Sequence, residues 1–205
     1  MRPRSAATGG GGPGRPSASR GGGRRVVVWP PRRCSSQSWN NGGLRGAKSQ
    51  VWEGGIRDPQ IVRWPGVTKA GTVCDQPTLT IDYYPTFAEI SGATIPATQK
   101  IDGTSFVPLL RGEPKLNRPA PLFWHYPANT APWPERAGGV CRDGDFKLVE
   151  IYHDGHFEMF NIKNDPDEKH NLIDEMPEKF AEMKAKLIDW QKSMKVEVPK
   201  TEAKK

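Results

Sequence analysis

Two Asp-Gly pairs, Asp143-Gly144 and Asp154-Gly155, are the strongest indicators of the fold in this sequence. Asp-Gly between apolar runs is typical of a tight β-hairpin, because both residues tolerate the positive φ that such turns need. Short runs rich in aromatic and branched residues surround the turns, at residues 122–126, 139–142, 146–152 and 156–162. We therefore predict a meander of three or four antiparallel strands.

A helix is predicted after the strands, over residues 176–194. Pro177 suits a first helical turn, and apolar residues then recur at steps of three and four. This stripe comprises Phe180, Met183, Leu187, Trp190 and Met194. It is too short for a coiled coil, and it favours packing on the chain's own sheet over docking on a partner. Together, the sheet and the helix indicate an α+β fold.

In the stretch at residues 42–66, the segment 42–55 combines five glycines with two basic residues, Arg45 and Lys48. Glycine lets a backbone adopt positive φ and approach a ligand closely. A strand is predicted at residues 60–64, and Pro65-Gly66 ends it. Composition alone leaves two interpretations open, a solvated surface loop or a loop that presents Lys48 to an anionic ligand.

Positive charge is concentrated at the N-terminus. Ten of the 30 Lys and Arg residues precede Glu53 and no acidic residue does, so the remainder carries 20 basic against 23 acidic residues. Residues 1–35 are mostly Gly, Arg, Pro, Ser and Ala, and we predict a disordered tail. Nucleic acid is considered as a partner for this basic tail only.

Between the tail and the strands we predict a partial core at residues 36–121. A helix is predicted from about residue 79, with Asp82 as its cap, Tyr84, Phe87 and Ala88 on one face, and Gly92 as its stop. A long irregular surface excursion is predicted for residues 93–121. The sheet and helix then occupy residues 122–195, and residues 196–205 are predicted to fray.

Several classes of protein are not indicated. No apolar run reaches the ~18 residues of a membrane helix, and none near the N-terminus resembles the core of a signal peptide. Cys34, Cys74 and Cys141 lack zinc-site spacing, and we expect mostly free thiols. No metal ligand is assigned. Neither a membrane partner nor a compartment is predicted.

Motifs in chain order resemble the C-terminal part of type I, arylsulfatase-like sulfatases of the alkaline-phosphatase-like superfamily. The resemblance covers about residues 41–195. Its motifs are Leu44-Arg-Gly-Ala-Lys48, Trp52-Glu-Gly-Gly-Ile-Arg57 with Ile61-Val-Arg-Trp-Pro-Gly66, Ile81-Asp-Tyr-Tyr-Pro-Thr-Phe87, residues 102–112, Arg142-Asp-Gly-Asp-Phe-Lys-Leu148, and Glu158-Met-Phe-Asn-Ile162 with Asp165-Pro-Asp-Glu168. The resemblance implies a C-terminal fragment of an α/β sulfatase fold, with the strand at residues 60–64 at the edge of a larger sheet.

The resemblance also implies a site. In the family, a lysine at the position of Lys48 contacts the substrate sulfate, so Lys48 is the predicted catalytic and substrate-binding residue. Arg45 is a candidate for the pocket mouth, and His125 for contact with a sugar or leaving group. Glu53 and Arg57 are expected to brace the loop by pairing with each other.

A complete family member uses a formylglycine, made from Cys or Ser in Cys/Ser-x-Pro/Ala-x-Arg, and a divalent cation, usually Ca²⁺. This chain lacks the nucleophile motif, and Asn40-Asn41-Gly42 lacks the acid of the family's metal site. We therefore expect neither cofactor in this chain, and no hydrolysis of the sulfate ester, aryl or carbohydrate, that a complete enzyme would take.

Two interpretations remain open. The chain is either a truncated or mis-started sulfatase, or a non-catalytic sulfatase-derived binding or orphan domain. An in-frame nucleophile motif upstream of codon 36 would favour the first.

Overall fold

The computed structural model describes residues 27–28, 41–119, 121–127 and 136–199. The predicted tail at residues 1–35 lies outside these residues, apart from the strand β1 at Val27–Val28. Residues 200–205 and most of the proline-rich loop after Tyr126 also lie outside them. The predicted division at residues 35, 121 and 195 stays a prediction.

A four-stranded antiparallel sheet forms the centre of the described fold. Its strands lie in chain order across the sheet. They are β3 at Leu122–Tyr126, β4 at Gly138–Asp143, β5 at Phe146–Ile151 and β6 at Phe157–Asn161. Gly144 has φ +58° and closes the β4–β5 hairpin, and Gly155 has φ +74° in the next turn. The predicted meander is confirmed, with four strands.

One face of the sheet, the helix face, is covered by helix α4 at Pro177–Ser193. Met183 and Leu187 are fully buried against Cys141, Leu148 and Met159. The Trp190 ring stacks on Phe123 with 4.9 Å between centroids. The predicted α+β architecture is therefore confirmed, with the helix packed on its own sheet.

The apolar stripe of α4 is shorter than predicted. Met194 follows the last helical residue and is 56% exposed, so it does not extend the packed face. Its φ and ψ stay helical, but the next residue, Lys195, takes φ +52° and the chain turns away. Four residues of the five in the stripe, Phe180, Met183, Leu187 and Trp190, pack as expected.

The opposite face, the loop face, packs against the glycine stretch. Val51 and Trp52 form a core cluster with Val140, Val149 and Ile151 of the sheet. A one-turn helix, α1 at Glu53–Ile56, follows directly. The predicted strand at residues 60–64 is reduced to β2 at Val62–Arg63, which pairs antiparallel with β1.

The middle segment contains more structure than predicted. A 3₁₀ turn at Thr80–Asp82 leads into α2 at Tyr83–Ser91, and Gly92 ends it with φ +71°. The segment expected to be an irregular surface excursion contains a further one-turn helix, α3 at Val107–Leu110. Phe106, Val107 and Leu116 there are buried.

Asp82 explains why this segment is ordered. It does not cap α2; instead its fully buried carboxylate accepts hydrogen bonds from the backbone N–H groups of Leu79, at 2.6 Å, and Thr104, at 2.8 Å. Arg118 donates to both carboxylate oxygens. By contrast, Tyr84 and Phe87 of α2 are 47% and 43% exposed. Among the helices of the described chain, none is long and apolar enough to cross a membrane.

Candidate functional site

The loop that carries Lys48 is wrapped tightly around helix α1. A Cβ atom on Gly54 would lie 2.4 Å from the carbonyl oxygen of Gly46, and one on Gly55 would lie 2.1 Å from that of Gln50. The Gly54 N–H donates to the carbonyl oxygen of Arg45 at 2.7 Å. These two glycines therefore serve a close approach of the chain to itself, whereas the expectation was a close approach to a ligand.

Asn41 closes the same loop from outside. Its side-chain amide donates to the carbonyl oxygens of Gly46, at 2.8 Å, and Gly54, at 3.0 Å. The side-chain amide of Asn41, in the Asn-Asn-Gly sequence, thus binds backbone carbonyl groups. Within the described residues, no group of three or more His, Cys, Asp or Glu side chains could hold a metal ion. These residues do not fit the divalent cation that the resemblance implies, and none is assigned to it.

Arg45 joins the loop to the sheet. Its guanidinium pairs with Glu158 of β6 at 2.9 Å, and it lies over the Trp52 ring, 4.4 Å from the centroid. The Trp52 indole N–H donates to the same carboxylate oxygen, Glu158 Oε2, at 2.9 Å. Arg45 also donates to the carbonyl oxygen of Glu168. Its side chain keeps 35% exposure, so it lies at the rim of the loop.

Lys48 lies at the turn of this loop and is exposed. Among the residues that the structure describes, its ammonium has no hydrogen bond or ion pair. The next residue, Ser49, has φ +71°, a conformation that non-glycine residues adopt rarely. The loop therefore presents the Lys48 ammonium without a counter-charge among the described residues. Packing and hydrogen bonds fix the backbone that carries it.

A buried ionic cluster lies beneath α1. Lys147 of β5 is fully buried, with its ammonium 3.0 Å from Glu53 Oε1 and 2.8 Å from Glu168 Oε1. The Glu53 backbone N–H donates to Glu168 Oε2 at 2.7 Å. Arg142 and Arg57 approach Glu53 Oε2 only to 3.8 and 3.9 Å, beyond hydrogen-bond range. Burial raises the pKa of the Glu168 carboxyl, against the opposing effect of the Lys147 ammonium.

The expected pairing of Glu53 with Arg57 is therefore present only as a long ion pair, and Lys147 is the principal partner. Lys147 and Glu168 were not among the site residues predicted from the sequence. A usable signal was present in β5. Lys147 lies two and four residues before Val149 and Ile151, and side chains at this spacing in a strand point to the same face, which here is buried.

His125 lies in β3 but points away from the Lys48 loop. It alternates with Trp124 and Tyr126, which pack on the loop face, and so lies with Phe123 on the helix face. Its Nδ1 is 2.8 Å from the Tyr152 hydroxyl, which also accepts from Gln191 of α4. Burial lowers the pKa of His125 from 6.5. Burial is also the largest cause of the raised pKa of Tyr152, which is about 12.

A groove of about 890 Å³ lies in the described part of the chain. Residues 56–63 and 68–79 line most of it, together with α3 residues, Trp124 and Arg142. Lys48, Arg45 and His125 are not among its lining residues. The structure thus brings Arg45 and Lys48 together on one loop, while it places His125 on the other face of the sheet.

Most of the chain matches known proteins. The family of N-sulphoglucosamine sulphohydrolase C-terminal regions matches residues 47–195. The chain belongs to the sulfatase family, of which it represents the C-terminal portion. A sulfatase of Formosa agariphila is 38% identical over 146 residues, covering 67% of this chain and 26% of that protein. Human steryl-sulfatase is 33% identical over 170 residues, covering 70% of this chain and 29% of the relative.

Solved sulfatase-like structures agree with the fold. The structure of BT4656, in complex with its substrate D-glucosamine-2-N,6-O-disulfate, superposes with a TM-score of 0.58 and 29% identity. It covers 71% of this chain and 30% of BT4656. The chain thus spans less than a third of each of these three relatives.

Proposed function

We propose that this chain supplies Lys48 as the residue that contacts the sulfate in the sulfate ester site of a sulfuric ester hydrolase. The observation that carries the proposal is the exposed Lys48, which has no partner among the described residues and stands on a loop fixed by Gly54 and Gly55. A sulfate ester is anionic, and its cleavage increases the charge on the departing and non-bridging oxygens. A preorganised ammonium stabilises such charge more than mobile water does.

Arg45 and His125 have secondary roles in this proposal. Arg45 lies at the mouth of the proposed sulfate site around Lys48, where its partly exposed guanidinium adds positive potential while its pairing with Glu158 fixes the loop. His125 contacts a sugar or leaving group that extends past the end of β3. Since its ring faces the helix side of the sheet, it would meet a part of the substrate distant from the sulfate at Lys48.

The proposed substrate is an aryl or carbohydrate sulfate ester. Support comes from the relatives, because one is a steryl-sulfatase and another was solved with a disulfated glucosamine as substrate. Ca²⁺ and formylglycine belong to this proposal only for a complete family member. Because the chain lacks the nucleophile motif, we propose that it binds sulfate without turnover.

The test of binding uses inorganic sulfate and the full chain, measured by isothermal titration calorimetry. Lys48→Ala should weaken sulfate binding by about tenfold or more, since a charge-assisted contact contributes roughly 1.5–3 kcal/mol. Lys115→Ala is the matched control, because Lys115 is also an exposed loop lysine. Equal losses in the two variants would contradict the assignment of Lys48.

The test of turnover uses 4-nitrophenyl sulfate. The purified chain should release no 4-nitrophenol above a buffer blank. Release that Lys48→Ala abolishes would show that this chain is itself a hydrolase and would overturn the proposed inactivity. Sulfate binding without release would favour the non-catalytic binding domain over an active enzyme.

A further inference from the structure

Three segments that are distant in sequence converge on one buried ammonium. Lys147 comes from β5, Glu53 from the start of α1, and Glu168 from the turn after β6. All three side chains are at most 2% exposed. None can touch a substrate, yet one of them lies only five residues from Lys48 in the loop that presents it.

Glu168 makes the tightest connection to that loop. One oxygen of its carboxylate faces Lys147 at 2.8 Å, and the other accepts the Glu53 backbone N–H at 2.7 Å. Glu53 is the first residue of α1, so this bond fixes where the helix starts and hence where the preceding turn lies. The backbone carbonyl of Glu168 also accepts from Arg45 at the other end of the loop.

The backbone of Glu168 is itself strained. Its φ of +55° lies in the left-handed region, which an L residue with a long side chain rarely adopts. A strained conformation persists only where surrounding contacts determine it. Here those contacts are the ones that hold the loop: the Lys147 ammonium, the Glu53 N–H and the Arg45 guanidinium.

We propose that Glu53, Lys147 and Glu168 form a positioning centre that fixes the Lys48 loop, so that sulfate binding at Lys48 depends on side chains that never meet the anion. The inference rests on the proposed function for its binding consequence. The order of the loop is a separate consequence that can be measured without sulfate.

The experiment compares Glu168→Ala with Glu168→Gln in the full chain. In both variants a residue with a side chain still has to adopt the left-handed backbone conformation at position 168. Only glutamine retains a side-chain oxygen that can accept a hydrogen bond from the Glu53 N–H. Lys163→Met is the control, because Lys163 is an exposed lysine whose ion pair with Asp145, at 3.8 Å, lies outside the centre. Hydrogen–deuterium exchange with mass spectrometry measures how well ordered the loop is. Acetylation of Lys48 with and without sodium sulfate measures sulfate binding at that residue.

In Glu168→Ala, peptides covering residues 45–57 should exchange about tenfold faster or more, whereas α4 peptides should not change. Sulfate should protect Lys48 from acetylation in the wild type and in Lys163→Met, and several-fold less well in Glu168→Ala. Glu168→Gln should show a smaller exchange increase, confined to residues 45–57, and keep most of the sulfate protection, because it preserves the hydrogen bond to α1 but loses the charge that faces Lys147.

Unchanged exchange at residues 45–57 in folded Glu168→Ala overturns the positioning inference, whatever sulfate does. If Glu168→Ala unfolds the whole chain, Glu168→Gln decides: an exchange increase confined to the loop supports the inference, and none or a uniform increase overturns it. Absence of sulfate protection at Lys48 in the wild type overturns the proposed function instead, and the exchange result still judges the positioning centre.

Discussion

At Gly55 the backbone passes so close to the preceding turn that a side chain has no room. A Cβ atom there would lie 2.1 Å from the carbonyl oxygen of Gln50 and 2.6 Å from that of Ala47. Both obstacles are backbone atoms, so no rotamer change relieves the clash. The loop that presents Lys48 must move if this hydrogen is replaced by a methyl group.

Gly55→Ala should therefore destabilise the chain by about 3 kcal/mol, the upper part of the range for overpacked sites. The measurement is the urea midpoint at an unchanged dependence on denaturant. Gly71→Ala is the control, since its φ is +76° but nothing lies within 4 Å of an added Cβ. It should lose only about 1 kcal/mol, the cost of the left-handed conformation. Equal losses would contradict the close-approach explanation.

Individual residues were predictable where their role is local. The turn glycines Gly144 and Gly92 have the positive φ that their Asp-Gly and helix-stop positions indicate. Lys147 and Glu168 were missed because their role depends on partners about 100 residues away. The period of β5 indicates that Lys147 is buried, but no local pattern indicates which residues pair with it. Arg45 was singled out as a possible ligand, and its pairing with Glu158 depends on packing that no local pattern encodes.

Among the elements, the segment around α2 depends on one buried ion pair. Arg118 donates to the buried Asp82 at 3.0 Å through one of its two hydrogen bonds, across 36 residues. This bond joins the start of α2 to the chain beyond α3. The ordering of the segment thus rests on a charge pair more than on the short helices themselves.

Arg118→Ala should cost about 3–5 kcal/mol, because it leaves the carboxylate of Asp82 buried without its counter-charge. Urea unfolding monitored by circular dichroism would measure the loss. Arg111→Ala serves as the comparison, since Arg111 pairs with Glu89 at the surface at 3.8 Å. A surface pair contributes ~1 kcal/mol or less. If the two variants lose the same amount, the assigned importance of Asp82 is wrong.

Elements with strong local signals were predicted well. The hairpins and α4 were found because turn chemistry and a helical apolar period are written in consecutive residues. The structure in residues 93–121 was not, because α3 is a single turn and its burial comes from contacts with distant parts of the chain. Tyr84 and Phe87 illustrate the limit of periodicity, since they share a helix face that stays largely exposed.

For the whole molecule, the His125 network predicts a dependence of stability on pH. The pKa of His125 is lowered from 6.5 in the folded chain, chiefly because burial disfavours the imidazolium, while Glu150 opposes this effect. As the pH falls below 6.5, the unfolded chain binds this proton before the folded chain does. Stability attributable to His125 is therefore complete above that pH and is lost progressively down to the lowered pKa.

His125→Gln should flatten the fall in unfolding free energy below pH 6.5, relative to the wild type. Urea titrations at half-unit pH intervals would measure it. His153→Gln should retain the wild-type slope, because His153 is exposed in the turn after β5. An identical slope in His125→Gln and the wild type would remove His125 as the cause.

At this scale the sequence predicted the architecture but not how its parts meet. The α+β arrangement and the sulfatase family followed from turns, periodicity and ordered motifs. That the glycine loop and α4 occupy opposite faces of one sheet did not follow, because face assignment depends on register between strands. For the same reason, the separation of His125 from Lys48 could be seen only in the folded chain.

The bond between Glu53 and Glu168 spans 115 residues, which has a consequence for biosynthesis. A ribosome releases the Lys48 loop long before it releases the turn that completes the loop's contacts. The nascent loop cannot make its contacts with Glu168 until β6 and the turn that follows it have left the ribosome. Since such distant contacts slow folding, we expect the anion-presenting loop to be among the last parts of this chain to mature.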